Sequence, residues 1–411
     1  MKKVWLINPY GTLRKEGWGA YRTVLIAEAM SNNNYQTTLW ISNVIHRTKQ
    51  IRRKENLNEE KYAIRLVPSI LYSNHISLQR IRYEKIFERN LYEMMLREKE
   101  KPELIIISDP ALFFSKKVLK FCGDNNVKLV VDIIDLWPEM FNLILPSIIR
   151  RCGNFLFNHL YKRRNNLLET ADGVIGITAD YLHLATKGLN IPRKQLAYYG
   201  IDLERFEINK ANTVPEEVIN FLGSSRATFI HSGTIGEAYD ISFLCETIPT
   251  ICSLNKDVKF LFVGDGPLKD KLVELSRILP GNVLYLGSVD SDQLPSIYMM
   301  FNYGLCSYAK ESTVSMPTKV FDYLAAGLSI VHCLGGDIKN LCEQRHIGYY
   351  YEPGHRESFV TCVSRCIEYV PTINELKVRS KNTSILYDHK SIYSDVVKFV
   401  DYVIDYNPKL V

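Results

Sequence analysis

Ser315-Met316-Pro317-Thr318-Lys319-Val320-Phe321-Asp322-Tyr323-Leu324-Ala325-Ala326-Gly327 lies between two short apolar runs, Tyr303–Ser307 and Ser329–Cys333. The runs predict strands, and the segment between them predicts a helix over Pro317–Ala326. Ser315 can cap that helix and Pro317 can occupy its first turn. Lys319 then falls beside the exposed N–H groups of the helix start, a combination that favours a phosphate. Asp322, three residues on, shares a face with Lys319. A cation for phosphates and a carboxylate for sugar hydroxyls suit a nucleotide-sugar. The plainer alternative is a solvated Lys–Asp pair.

The same alternation extends outward. Strands are predicted over Ala227–Ser232, Val258–Val263 and Val283–Leu286, with helices near Ile241–Leu254, Pro267–Arg277 and Ser291–Met300. An earlier set has strands at Val4–Ile7, Thr37–Ile41, Leu104–Ser108, Leu129–Ile133 and Gly173–Ile177. Helices are predicted there near Ala20–Asn32, Ser77–Glu100, Ser115–Asn125 and Ile148–Glu169. Several strands are apolar throughout, as expected where helices cover both faces of a parallel sheet. Between the sets, Tyr199-Gly200-Ile201-Asp202-Leu203-Glu204-Arg205-Phe206 and the polar Asn209–Glu217 mark a hinge. The expected architecture is α/β, with two Rossmann-like doubly wound domains facing across a cleft. The first spans residues 1–205 and the second 206–387, and a helix at about 388–411 is placed to pack back on the first. Ligands of such sheets bind beyond the carboxyl ends of the strands.

A chain of 411 residues with 46% hydrophobic and 23% charged residues is neither disordered, collagen-like nor a coiled coil. Its mean hydropathy is −0.10. No apolar run reaches ~18 residues, so no transmembrane helix is expected. The net charge of +6 is small for a dedicated nucleic-acid binder and compatible with anionic ligands or a membrane surface. The start, Met1-Lys2-Lys3-Val4-Trp5-Leu6-Ile7-Asn8-Pro9, holds only four apolar residues before Asn-Pro. A secretory core needs about 7–15, so this is read as a first strand. Nine scattered cysteines without a C-x-x-C pair point to a reducing cytoplasm.

Other stretches carry candidate chemistry. Gly17-Trp18-Gly19 comes after the first strand, with Arg22 where the third glycine of a dinucleotide fingerprint would fall. Ser232-Gly233-Thr234-Ile235-Gly236 and Gly264-Asp265-Gly266-Pro267 are further strand-to-helix glycine turns, either approaching a phosphate or simply well made. Asp132-Ile133-Ile134-Asp135-Leu136-Trp137-Pro138-Glu139 places carboxylates at a strand end, where Asp135 serves a site or caps the next segment. Residues 140–168 hold Arg150, Arg151, Lys162, Arg163 and Arg164 among Leu143, Ile144, Phe155, Leu156, Phe157 and Leu160, with no acid before Glu169. This reads as a basic amphipathic segment docking on an anionic bilayer, or as a core helix with a basic outer face. A second basic cluster, Arg47, Lys49, Arg52, Arg53 and Lys54, extends that surface or is solvated. Asp290-Ser291-Asp292 reads as a helix cap, the histidines show no paired metal spacing, and there is no P-loop or G-x-S-x-G elbow. No metal or cofactor is expected.

With these motifs in their order, the chain resembles the family-4 glycosyltransferases of the GT-B fold from residue 1 to about 370. The resemblance rests on Gly17-Trp18-Gly19, Ala171-Asp172-Gly173-Val174-Ile175, the Tyr199–Phe206 run, Phe262-Val263-Gly264-Asp265-Gly266-Pro267 and Pro317–Gly327. Asp135-Leu136-Trp137-Pro138-Glu139 is similar to a signature of a bacterial O-antigen and capsule subgroup. The resemblance implies retaining, metal-independent sugar transfer from a nucleotide-sugar, with UDP-sugars favoured, held on the C-terminal domain. It implies an acceptor on the N-terminal domain, a saccharide or polyprenyl-diphosphate-linked saccharide at the inner membrane face. It places Gly17, Gly19, Gly233, Thr234, Gly264, Gly266, Pro317, Thr318 and Lys319 at the donor, Asp322 at the ribose and Asp135 on the acceptor side. Val314 stands where the family's E-x7-E has its first acid, with Glu311 three residues earlier. The usual Arg and Lys clamp is absent from Thr234-Ile235-Gly236-Glu237-Ala238-Tyr239-Asp240, and Ile134 and Tyr199 replace a customary Arg and Asn. A nucleotide-sugar epimerase of the same fold and a non-catalytic scaffold subunit are the alternatives.

Overall fold

The computed structural model describes residues 1–16, 22–52, 61–74, 77–145, 153–223, 225, 227–368 and 373–406. It divides into two units, Met1–Tyr198 with Ile392–Val411, and Tyr199–Ser391. Gly17 and Gly19 lie outside the described residues, as do Arg53, Lys54, Arg150 and Arg151.

The first unit contains β1 (Lys3–Ile7), α1 (Arg22–Asn32), β2 (Gln36–Ser42), β3 (Val44–Ile45), β4 (Gln50–Ile51), β5 (Ala63–Val67), α2 (Leu78–Arg97), β6 (Leu104–Asp109), α3 (Ser115–Asn125) and β7 (Lys128–Ile133). It continues through α4 (Gly153–Leu156), α5 (Asn158–Thr170), β8 (Gly173–Gly176), α6 (Ala179–Thr186) and β9 (Lys194–Leu196). The parallel sheet runs β5-β2-β1-β6-β7-β8-β9. The order turns back between β1 and β6, the switch point where doubly wound sheets open a ligand crevice.

The second unit contains α7 (Leu203–Asn209), α8 (Glu216–Leu222), β10 (Ala227–Ser232), α9 (Ile241–Leu254), β11 (Val258–Val263), α10 (Lys269–Ile278), β12 (Val283–Gly287), α11 (Leu294–Tyr298) and β13 (Tyr303–Cys306). Then come α12 (Lys319–Ala326), β14 (Ser329–His332), α13 (Gly336–Arg345), β15 (Gly348–Tyr350), α14 (Arg356–Glu368) and α15 (Ile373–Ser384), before α16 (His389–Asp405), of which only His389–Ser391 lies in this unit. The sheet order is β12-β11-β10-β13-β14-β15, again parallel, with its switch point between β10 and β13.

The apolar runs form strands because both faces are covered. In the first unit Trp5 packs on Trp40 and Phe121, with ring centroids 5.1 and 5.7 Å apart. In the second, Phe229 on the central β10 is stacked between Phe260 of β11 and Tyr303 of β13 at 5.0 and 4.9 Å. Each such ring contributes roughly 1.5–3 kcal/mol by leaving water. From Ile392 onward α16 belongs to the first unit. A side chain at Gly173 would meet Phe399 at 2.8 Å, so the glycine at the start of β8 lets this helix sit down.

Arg22 explains the failed dinucleotide fingerprint. Its guanidinium is 2% exposed and binds Asp132 of β7, itself 0% exposed, through contacts of 2.8–2.9 Å, and also donates to the carbonyl of Ala197. Burial alone would lower its pKa, but Asp132 more than offsets this and holds it above the ordinary value. Asp132 is thus a structural carboxylate rather than a site residue. Arg22→Leu leaves that carboxylate buried and uncompensated, at an expected cost of about 3–5 kcal/mol. Adding Asp132→Leu should recover much of the loss in urea unfolding. Additive losses would contradict the pairing.

The basic stretch differs from the single amphipathic helix expected. A 3-10 turn at Glu139–Ile144 precedes two helices, α4 and α5. Arg164 does not face solvent. It is 4% exposed, donates to both carboxylate oxygens of Glu139 at 2.7 and 2.8 Å, and donates to the Trp137 carbonyl. Lys162 and Arg163 are both exposed, and Arg163 donates to the Leu112 carbonyl and lies over Phe113. Phe155 and Leu156 are exposed at 83% and 49%. Arg52 is likewise no surface cation, being buried and paired with Glu16 at 2.5 Å. No helix among the described residues is long and apolar enough to cross a membrane.

Candidate functional site

In the second unit the switch point gathers the loop after β10, the loop after β13 and the start of α12. The two glycine turns interlock. Gly233 N–H donates to Val263 O, Ile235 N–H to Asp265 O, and Leu268 N–H to Ile235 O. Gly264, at φ +139°, approaches so closely that a Cβ would stand 1.8 Å from Gly233 O, and one on Gly266 would stand 2.2 Å from Ile235 O. These glycines are therefore required by the packing of one turn on the other. Gly233, at φ +128°, and Thr234 are exposed.

Lys319 opens α12, with Thr318 as its N-cap residue, so Pro317 precedes the cap instead of occupying the first turn. The N-cap residue is not Ser315, whose hydroxyl accepts from the Asp337 N–H at the start of α13. Pro267 similarly precedes α10, whose N-cap residue is Leu268. The Lys319 side chain is 9% exposed, and its ammonium has no hydrogen-bond partner among the described residues. It lies 4.8 Å from the Tyr239 ring centre and 5.8 Å from that of Tyr308, rings that are themselves 5.0 Å apart. A Cβ on Gly233 would stand 3.5 Å from Nζ. Burial lowers the ammonium to about 8. A buried cation at a helix N-terminus, flanked by two aromatic faces beside an exposed glycine turn, is an arrangement that favours an anion.

Asp322 makes no ion pair with Lys319 among the described residues. Although its residue is only partly buried by area, the surrounding protein raises the carboxyl to about 7. His231 of β10 is 1% exposed and lies 5.9 Å from the Tyr239 ring. Burial, reinforced by the Lys319 charge, pushes it well below the ordinary histidine range, so the two groups do not repel at neutral pH. His231, Tyr239 and Tyr308 were not legible as site residues, because only the β10–β13 pairing brings their chain segments together.

In the first unit Asp135 lies just past β7. It is exposed by area, yet the protein around its carboxyl pushes it above the usual carboxylate range, with Arg80 pulling it back. Nearby, Tyr10 donates to Glu84, which is 4% exposed and raised to about 7 by burial, and Arg80 lies 3.3 Å from the same carboxylate. A polar cavity of about 930 Å³ opens elsewhere, beside Lys3, Gln36 and Ala63 at the amino ends of the strands, the end doubly wound sheets do not use for ligands. Asp290 caps the turn at Ser291–Gln293, and Asp292 pairs with Arg205. Among the described residues no three His, Cys, Asp or Glu side chains converge as a metal site.

Two parallel, doubly wound sheets in successive units are the GT-B architecture that the similar solved structures share. Residues 226–369, within the second unit, match the family of glycosyl transferases group 1, and that match together with the fold supports a glycosyltransferase. Solved structures agree on the fold. HepE from Anabaena in complex with UDP superposes with a TM-score of 0.68 at 13% identity, covering 98% of this chain and 100% of its own. Sucrose-phosphate synthase from Thermosynechococcus elongatus gives 0.69 at 13%, covering 98% and 99%. WaaG, a glycosyltransferase involved in lipopolysaccharide biosynthesis, gives 0.65 at 12%, covering 98% and 100%. A comparison with curated proteins returns no match.

Proposed function

We propose that the chain transfers a sugar, with retention, from a UDP-sugar to a saccharide or lipid-linked saccharide in bacterial surface polysaccharide synthesis. The observation that carries this reading is the Lys319 ammonium, buried and unpartnered among the described residues at the start of α12. A nucleoside diphosphate supplies the missing anion, with its phosphates on Lys319 and against Gly233 and Thr234, and its ribose at Asp322. As the bond between the anomeric carbon and the phosphate oxygen breaks, Lys319 and the helix N-terminus stabilise the departing diphosphate without a metal. The acceptor hydroxyl attacks from the leaving-group face, and Asp135 orients it. HepE, similar in fold, has been crystallised with UDP-glucose, which supports a UDP-sugar here. The exposed Phe155, Leu156 and Lys162 support peripheral docking at the inner membrane face.

The test is UDP release from a panel of UDP-sugars with a lipid-linked glycan acceptor, and then assignment of the product anomer. An α-donor is expected to give an α-linked product. A β-linked product would contradict retention. Sugar conversion without acceptor would identify an epimerase.

The Lys319 pKa also sets a pH dependence. Diphosphate binding requires the ammonium, which in the free protein is lost above about 8. UDP affinity is therefore expected to be flat between about pH 7, above the titration of the terminal phosphate at about 6, and pH 8, and to fall up to tenfold per unit above that, with proton uptake on binding near pH 8. Calorimetry in buffers of different ionisation enthalpy measures the uptake. Zero uptake at pH 8 would count against Lys319 as the phosphate cation.

A further inference from the structure

The first unit contains a second cavity, of about 280 Å³, at the carboxyl ends of β6 and β7. Its walls are apolar: Leu78 and Ile81 from α2, Leu112 and Phe113 after β6, Trp137 and Phe141 after β7. The polar residues that reach it are Ser77, Arg80 and Glu84. Of these, the Ser77 hydroxyl caps α2 by accepting from the Arg80 N–H. Glu84 accepts from the Tyr10 hydroxyl and pairs with Arg80, whose guanidinium lies over the Tyr10 and Trp137 rings at 4.7 and 5.5 Å. The polar groups are thus committed to one another.

The geometry points to a subsite for the hydrocarbon segment of a single-chain amphiphile, the apolar aglycone of the acceptor. This rests on the glycosyltransferase reading. A sugar ring is the wrong occupant, because each hydroxyl buried here without a partner loses its water hydrogen bonds, whereas each methylene gains by leaving water. The volume holds a short run of chain rather than a whole lipid. The surroundings of the cavity fit an amphiphile. Phe141 packs on Phe157 at 5.2 Å, beside α4 with its exposed Phe155 and Leu156, and Arg163 lies over the Phe113 wall. Leu78, which lines the cavity, is itself 84% exposed. Asp135, the acceptor-side carboxylate, comes after the same strand as Trp137, so a chain held here leaves its polar head near that group.

The test is calorimetry with octyl β-glucoside below its micelle concentration, against methyl β-glucoside, on the wild type, Ile81→Glu and Leu78→Asp. Leu78→Asp changes an exposed position and guards against misfolding of the first variant. The wild type is expected to bind the octyl glycoside at one site, with the methyl glycoside about 100-fold weaker or undetectable, as several buried methylenes require. Both variants are expected to lose octyl binding and to keep wild-type UDP binding. Equal binding of the two glycosides, no octyl binding, or octyl binding unchanged in both variants would overturn the subsite. UDP binding without octyl binding defeats the subsite alone. Octyl binding lost in the variants, in a chain that never binds UDP, leaves a lipid site and defeats the glycosyltransferase reading.

Discussion

Replacing Lys319 with alanine is expected to lower sugar transfer by ~100-fold or more, the usual cost of removing a group that stabilises developing charge. The same buried ammonium burdens the empty protein. Burial moves it from 10.5 to about 8, so between these values the unfolded chain binds more protons than the folded one, and stability rises with pH across that window. That displacement corresponds to roughly 3 kcal/mol, and the penalty is fully present below pH 8. Lys319→Met, which keeps the apolar stem and drops the charge, should therefore raise the melting temperature of the nucleotide-free second unit at pH 7 by several degrees. Loss of activity with a gain in stability marks a residue kept for its ligand. A variant that melts lower would show that Lys319 holds the fold instead.

Gly264→Ala carries the other large expected effect. The residue sits at φ +139°, and the added methyl would stand 1.8 Å from Gly233 O, so one of two interlocked turns must move. The expected loss exceeds ~3 kcal/mol, in the range reserved for strained backbone and overpacking, with nucleotide binding lost alongside. Gly281→Ala is the control, because nothing lies within 4 Å of its added methyl. Urea midpoints that differ little between the two variants would contradict the interlocking.

The fold was legible because its strands are short apolar runs whose local composition is enough to mark them. Lys319 and Asp322 were legible as a pair three residues apart at a helix start. The support under that lysine was not, since Tyr239 and Tyr308 come from loops after different strands. Local pattern also misread cations, Arg52 among them. Arg164 lies in a basic run that looks like a solvent face, and only the return of Glu139 makes it a buried partner. Arg22 looks like a broken glycine motif until Asp132, far along the chain on β7, closes on it. Ser315 reads as a cap for the helix just after it, yet its hydroxyl caps the next one. In each case the deciding partner is set by tertiary packing rather than by neighbouring sequence.

The most direct measurement is calorimetric titration of UDP, GDP, ADP and CMP into the wild type and Lys319→Ala at pH 7. The donor-site reading predicts selective binding of one nucleotide, UDP, lost in the variant. No binding of any nucleotide by the wild type, or equal affinity in the variant, would contradict it.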